Sequence, residues 1–181
     1  GGDAALARLR ERLAKRRLKL MLDFVPNHMG LGHPWVESHS EHFITGSEED
    51  LARAPQNFVR VKLRRGEAIL AYGRDPYFAG WPDTLQLNYA NPATQEAMIG
   101  ELSRIAGQCD GVRCDMAMLV LPDVFERTWG RRPPLFWPNA TGFAAGGAVW
   151  LEVSFAMQSS LPPPPPPSPP PPPPPPPPSV R

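Results

Sequence analysis

Arg113 and Asp115 stand two residues apart in the stretch Cys109–Met118, Cys-Asp-Gly-Val-Arg-Cys-Asp-Met-Ala-Met. The stretch reads as a short buried strand that ends in chemistry. At a spacing of two, both side chains leave a strand on the same face. A guanidinium fixed beside a carboxylate keeps it ionised by charge pairing and hydrogen bonding. An ionised, oriented carboxylate is the form that a nucleophile needs for covalent attack at a sugar carbon. A purely structural Arg–Asp pair is the commoner arrangement, and these residues alone leave both readings open.

A second stretch shifts the balance. Lys19–Gly30 reads Lys-Leu-Met-Leu-Asp-Phe-Val-Pro-Asn-His-Met-Gly, an apolar run that ends in Asp23, Asn27 and His28. Pro26 suits a strand end and not its middle. Polar groups bunched where a buried strand stops mark the active face of a β/α barrel. Together the two stretches resemble the α-amylase family of glycoside hydrolases (family 13). Asp-Phe-Val-Pro-Asn-His at 23–28 is similar to that family's first signature region, on the third barrel strand. Gly-Val-Arg-Cys-Asp at 111–115 is similar to its second, on the fourth strand. Each motif alone is moderately specific; the two in this order make a stronger pattern.

The resemblance implies an α/β fold, a partial (β/α)8 TIM barrel covering about strands 3 to 5, with a small inserted loop/β module after strand 3. It implies retaining hydrolysis or transfer at α-glucosidic bonds, with an α-glucan or α-glucoside as the substrate. On the matching positions Asp115 is the nucleophile, Arg113 orients it, and His28 and Asp23 bind the sugar. Asn27 matches a position that ligates structural calcium in many members. No cofactor is otherwise required. Two positions depart from the family: Met118 and Leu119 stand where many members carry Lys-His. That departure speaks against calcium and against an ordinary amylase subsite map.

Stepwise along the chain, the elements that would position these residues can be read. The formal net charge of +1 gives no electrostatic case for nucleic acid or for an anionic membrane surface. No apolar run reaches the roughly eighteen residues of a membrane span. Residues 3–17 read as a helix capped by Asp3, with Leu6, Leu9 and Leu13 at helical spacing and a basic, solvated opposite face. The strand 18–25 follows, and helix then strand is half of a barrel's repeating unit. His28, His33, His39 and His42 fall close together, but their spacings fit neither a helical His-x-x-x-His pair nor a zinc finger, so a metal cluster is the less favoured reading, and His28 stands apart through the resemblance. Residues 30–91 read as the insertion. Phe58–Leu63 and Ala68–Tyr72 form a hairpin candidate within it, and Trp35, Tyr77, Phe78 and Trp81 serve mainly as packing groups.

Residues 92–108 read as the next helix, with Asn91 as cap, Pro92 in the first turn and a stripe of Met98, Ile99, Leu102, Ile105 and Ala106. It leads into the strand 110–115. Asp123–Gly130 reads as a short helix ended by glycine, and 131–139, with three prolines, as loop. Cys109 and Cys114, five apart in one extended segment, would face opposite sides, so no disulfide is expected between them. Two cysteines suit a reduced compartment, and the localisation expected is cytoplasmic.

Ala148–Val153 is the last apolar run. On resemblance it takes the place of the fifth strand, and its Glu152 becomes the acid/base, where desolvation by Leu151 and Val153 would raise the pKa of a proton donor. The domain division expected is 1–160, the partial barrel, and 161–181, a proline-rich disordered tail. Every residue from Pro162 to Pro178 is proline except Ser168, which imposes extended polyproline II. Such a tail is a ligand for SH3- or WW-type grooves, a stiff spacer, or the product of a shifted reading frame, and the last is favoured. A closed barrel takes about 250 residues, so this polypeptide alone is expected to show little or no activity. The rival readings are a non-enzymatic interaction protein acting through the tail, and a sugar-binding remnant.

Overall fold

The computed structural model describes residues 1–64, 66–144 and 150–152, with side chains described as far as Gly142; the expected tail lies outside these residues. Helix α1 runs Gly2–Ala14. It starts one residue earlier than the sequence suggests, and Asp3 sits in its first turn and makes no cap. It ends before 17 because Arg17 adopts φ 58°, which no helix continues. None of its residues is buried, and it is held at the side of the molecule through Arg10. Arg10 Nη2 donates to Asp110 Oδ1 at 2.9 Å and Nη1 to the Gly107 carbonyl at 3.1 Å. Asp110 Oδ2 in turn accepts the Leu20 amide at 2.9 Å, so one carboxylate ties α1 to the start of the sheet.

Strand β1 is Met21–Phe24. Pro26 has no N–H to give a ladder, and the chain leaves the sheet there. The apolar run expected to be one strand with polar residues at its end is therefore two. The second, β2 (His28–Gly30), pairs antiparallel with β5 (Thr84–Gln86), His28 opposite Gln86. Between them lies the inserted module: α2 (Pro34–Ser38), a 3-10 turn at Ser40–His42, α3 (Glu48–Arg53), and the hairpin of β3 (Phe58–Leu63) and β4 (Gly66–Ala71). Ser47 and Asp50 close a capping box at the start of α3. The hairpin returns two residues earlier than expected, at Gly66, whose φ of 123° is open only to glycine.

Helix α4 runs Pro92–Ala106, with Asn91 Oδ1 accepting the Ala93 amide at 3.0 Å. Its Met98, Leu102 and Ala106 are buried in one core with Phe24, Val112 and Cys114. It delivers the chain to β6 (Gly111–Cys114), which pairs parallel with β1 and with β7 (Trp150–Glu152). The sheet order is β1-β6-β7. After β6, α5 (Pro122–Trp129) stops at Gly130 in the left-handed region, φ 67°. The loop expected over 131–139 is shorter than that, because α6 spans Trp137–Ala144. Pro138 lies in its first turn, where a missing N–H costs nothing, so the prolines hid a helix start. Phe136 and Ala140 bury this helix's near side, and Trp137 Nε1 donates to the Ala117 carbonyl at 3.1 Å. Among the described residues the strands make one three-stranded and two two-stranded sheets, and no barrel closes.

Candidate active site on the open face of the sheet

Register brings the sequence-selected residues together. Asp23 on β1 lies beside Arg113 on β6, and Arg113 lies beside the backbone of Glu152 on β7. Alternation then sorts the two strands: Phe24, Val112 and Cys114 enter the core under α4, while Met21, Asp23 and Arg113 project from the opposite face. Arg113 Nη2 donates to Asp115 Oδ1 at 2.9 Å. Its Nη1 lies 3.4 Å from each carboxylate oxygen of Asp23. One guanidinium therefore spans two carboxylates from adjacent parallel strands, at their C-terminal ends. The side chains of Arg113 and Asp115 are each 42% exposed and that of Asp23 63%, so water screens these pairs and they hold little folding energy.

The Asp115 amide donates to the Phe24 carbonyl at 2.9 Å, one step beyond the strand. The next residue, Met116, adopts φ 56° and ψ 29°. A left-handed residue that is not glycine costs about 1–2 kcal/mol. The turn it makes ends the ladder immediately after Asp115 and sends the chain into the 3-10 turn Ala117–Val120. Leu119, at one of the two positions that depart from the family pattern, is buried in that turn.

His28 approaches from β2. Its ring meets Trp81 edge-on, with centroids 5.3 Å apart. Burial lowers its pKa, and the charges of Asp83 and Asp115 offset part of that fall. The neutral imidazole therefore dominates at neutral pH, able to donate from one nitrogen and accept at the other. Gly73 makes this packing feasible: a Cβ there would stand 2.9 Å from His28 Cβ and 2.7 Å from Thr84 Oγ1.

Asn27 is buried, and its amide is consumed by Gln86. Asn27 Nδ2 donates to Gln86 Oε1 at 3.2 Å, and Gln86 Nε2 returns a bond to Asn27 Oδ1 at 3.0 Å. Calcium wants six to eight oxygens, carboxylates among them. An ion held at Asn27 would share its Oδ1 with Gln86 Nε2. Gln86 and Tyr89, whose hydroxyl donates to the Pro26 carbonyl at 2.8 Å, lock the end of β1 to the module. The sequence reading assigned them no role, although a lone glutamine between Leu85 and Leu87 was a sign of a buried polar anchor. Cys109 and Cys114 are both free thiols, and burial pushes Cys114 up to about 11.

A cleft of about 630 Å³ is lined by Asp23, His28, Trp35 and Asp83, but also by Met98 and Arg104 of α4. Neither Arg113 nor Asp115 lines it. It runs beside β1, the edge strand, and the carboxylates that share Arg113 are better defined by their own geometry than by this hollow. The side chain of Glu152 lies outside the described residues, as do Ala148, Val149 and Val153 of the expected fifth-strand segment.

The fold is similar to part of an α-amylase. An α-amylase from Lactobacillus plantarum superposes with a TM-score of 0.55 at 22% identity, over 82% of this chain and 27% of that one. One from H. orenii gives 0.53 at 22% identity, over 83% and 31%. A maltogenic α-amylase from Thermotoga neapolitana gives 0.53 at 19% identity, over 83% and 28%. At these identities the likeness is one of fold, and the chain spans less than a third of each of these proteins. No protein-family model and no curated protein sequence matches the chain.

Proposed function

We propose that this chain is part of a retaining enzyme acting on α-glucosides, built on strands three to five of a (β/α)8 barrel, with Asp115 as its nucleophile. The observation that carries this reading is the Arg113 guanidinium held between Asp115 and Asp23 at the ends of two parallel strands. Barrel enzymes do their chemistry at that end of the sheet, and the fold likeness to α-amylases supports reading the sheet as a barrel segment.

In this reading Asp115 attacks the anomeric carbon and forms a covalent glycosyl-enzyme. A second carboxyl protonates the departing oxygen and then deprotonates the water that releases the sugar. Retention asks for about 5–5.5 Å between the two carboxyls. Glu152, in backbone register with Arg113, takes the second role. Arg113, donating to Asp115 Oδ1 at 2.9 Å, orients the carboxylate for attack. Neutral His28 and the exposed carboxylate of Asp23 hydrogen-bond sugar hydroxyls. No step needs a metal ion.

The polypeptide alone is expected to release little or no reducing sugar, because among the described residues no barrel closes around Asp115. Release above background from soluble α-glucan, lost in Asp115→Asn, would overturn that part. Maltooligosaccharide titration followed by tryptophan fluorescence tests the rest. Weak saturable binding that falls several-fold in His28→Ala is the expected result, and no binding at any concentration would count against the assignment.

A further inference from the structure

We propose that His39, Glu41 and His42 form a structural site for a divalent transition-metal ion, with zinc as its best fit. The site shares no residue with the Arg113–Asp115 pair and does not depend on the function proposed above.

The backbone makes the cluster. His39 precedes the 3-10 turn Ser40–His42, and the His42 amide donates to the His39 carbonyl at 2.9 Å. That bond brings the two side chains to one side of the turn, and His39 and His42 stack with ring centroids 5.2 Å apart and planes 29° from parallel. Glu41 reaches round to the same point, its Oε1 3.1 Å from His39 Nδ1. One ligand atom from each of the three lies within 4.8 Å of the others. A shared ion with bonds of about 2.0–2.2 Å needs them somewhat closer. That movement falls to the side chains of His39 and Glu41, which are 52% and 59% exposed.

The third ligand is the fixed one. His42 is buried, its ring edge-on to Trp35 at 5.2 Å, and its Nδ1 lies 3.2 Å from Thr94 Oγ1. A metal-binding histidine characteristically commits its far nitrogen to a protein partner, which fixes both tautomer and ring orientation. With Nδ1 engaged by Thr94, Nε2 is the nitrogen left for an ion. Two imidazoles and one carboxylate suit zinc and its first-row neighbours, whereas calcium prefers oxygen alone. Water completes the coordination. The His-x-Glu-His pattern escapes a search for α-helical His-x-x-x-His because its period is three.

Its place in the fold indicates its effect. Asn91 Nδ2 donates to the Glu41 carbonyl at 3.0 Å and the Asn88 amide to the His42 carbonyl at 2.8 Å. Together with the bond to Thr94, these join the turn to the N-terminal end of α4. An ion held there stiffens the turn that these hydrogen bonds join to the helix.

The test is a zinc titration of the untagged 181-residue chain against a chromophoric chelator, paired with thermal unfolding with and without zinc. The expected result is one saturable site, and a transition temperature that rises with zinc because only the folded chain binds it. His39→Ala and Glu41→Gln alter exposed side chains, so both variants should keep the circular dichroism of the parent while each loses at least tenfold in affinity. His33→Ala should bind as the parent does. Absence of one-site binding, or an affinity unchanged in His39→Ala, overturns the proposal.

Discussion

The two faces of the β1–β6–β7 sheet are written by alternate residues of the same strands, and they have opposite characters. Under α4, Phe24, Val112 and Cys114 are 3%, 0% and 0% exposed and meet Met98, Leu102 and Ala106. On the other side Met21 is 48% exposed, and beside it stand Asp23 and Arg113, with Asp115 just beyond the strand end. The covered face holds the fold; the open face carries the groups capable of chemistry and contributes little to stability. The charged trio tolerates exposure because each member is solvated or paired. A charge on the covered face would have neither option.

The sharpest way to break this comparison is to exchange the characters of the faces. Val112→Asp places an unpaired carboxylate in the core, and a loss of about 3–5 kcal/mol or outright unfolding is expected in urea denaturation. Phe24→Ala should cost roughly 3–5 kcal/mol. The matched change on the open face, Met21→Ala, should cost under about 1 kcal/mol. If Met21→Ala proved as damaging as Phe24→Ala, the open face would be covered in solution.

Acidity gives the next contrast. Burial lowers the pKa of both His28 and His42 below the ordinary histidine range. Protonation is then easier in the unfolded chain, so stability is full above about pH 6.5 and is lost as pH falls through the lower folded-state values. His28→Asn should flatten part of that fall, measured as unfolding free energy between neutral and acid pH. Arg113→Met should change stability by less than about 1 kcal/mol, since its pairs are half exposed, while weakening any chemistry at Asp115. At the small end stands thiol reactivity. Cys114, pushed up to about 11 by burial, should resist an aromatic disulfide at pH 8 in the folded protein and react once urea is added. Reaction of Cys114 in the native state would mean that the covered face opens.

Much of this division was legible in the sequence, for reasons that particular residues make plain. Arg113 and Asp115 share a face by strand period alone, and Asn91-Pro92 announces α4 because cap and first-turn chemistry are local. What escaped reading depends on backbone states that residue type does not force. Met116 takes a left-handed conformation without being glycine. Pro138 looks like a loop residue yet sits in the first turn of α6. His28 belongs to a second sheet, because a proline can end one ladder without preventing another from starting two residues later. His39 and His42 converge through a 3-10 turn, whose period sequence patterning does not test. The pairing of Asn27 with Gln86 is a contact between residues fifty-nine apart, which only the fold creates.

Covalent labelling would show whether Asp115 on the open face is a nucleophile oriented by Arg113. The chain would be incubated with an epoxide mimic of α-glucose, digested and mapped by mass spectrometry. The account predicts a single adduct on Asp115, absent in Asp115→Asn and slowed in Arg113→Met. An adduct that falls on Asp23 instead, or one on Asp115 that forms as fast in Arg113→Met, would contradict it.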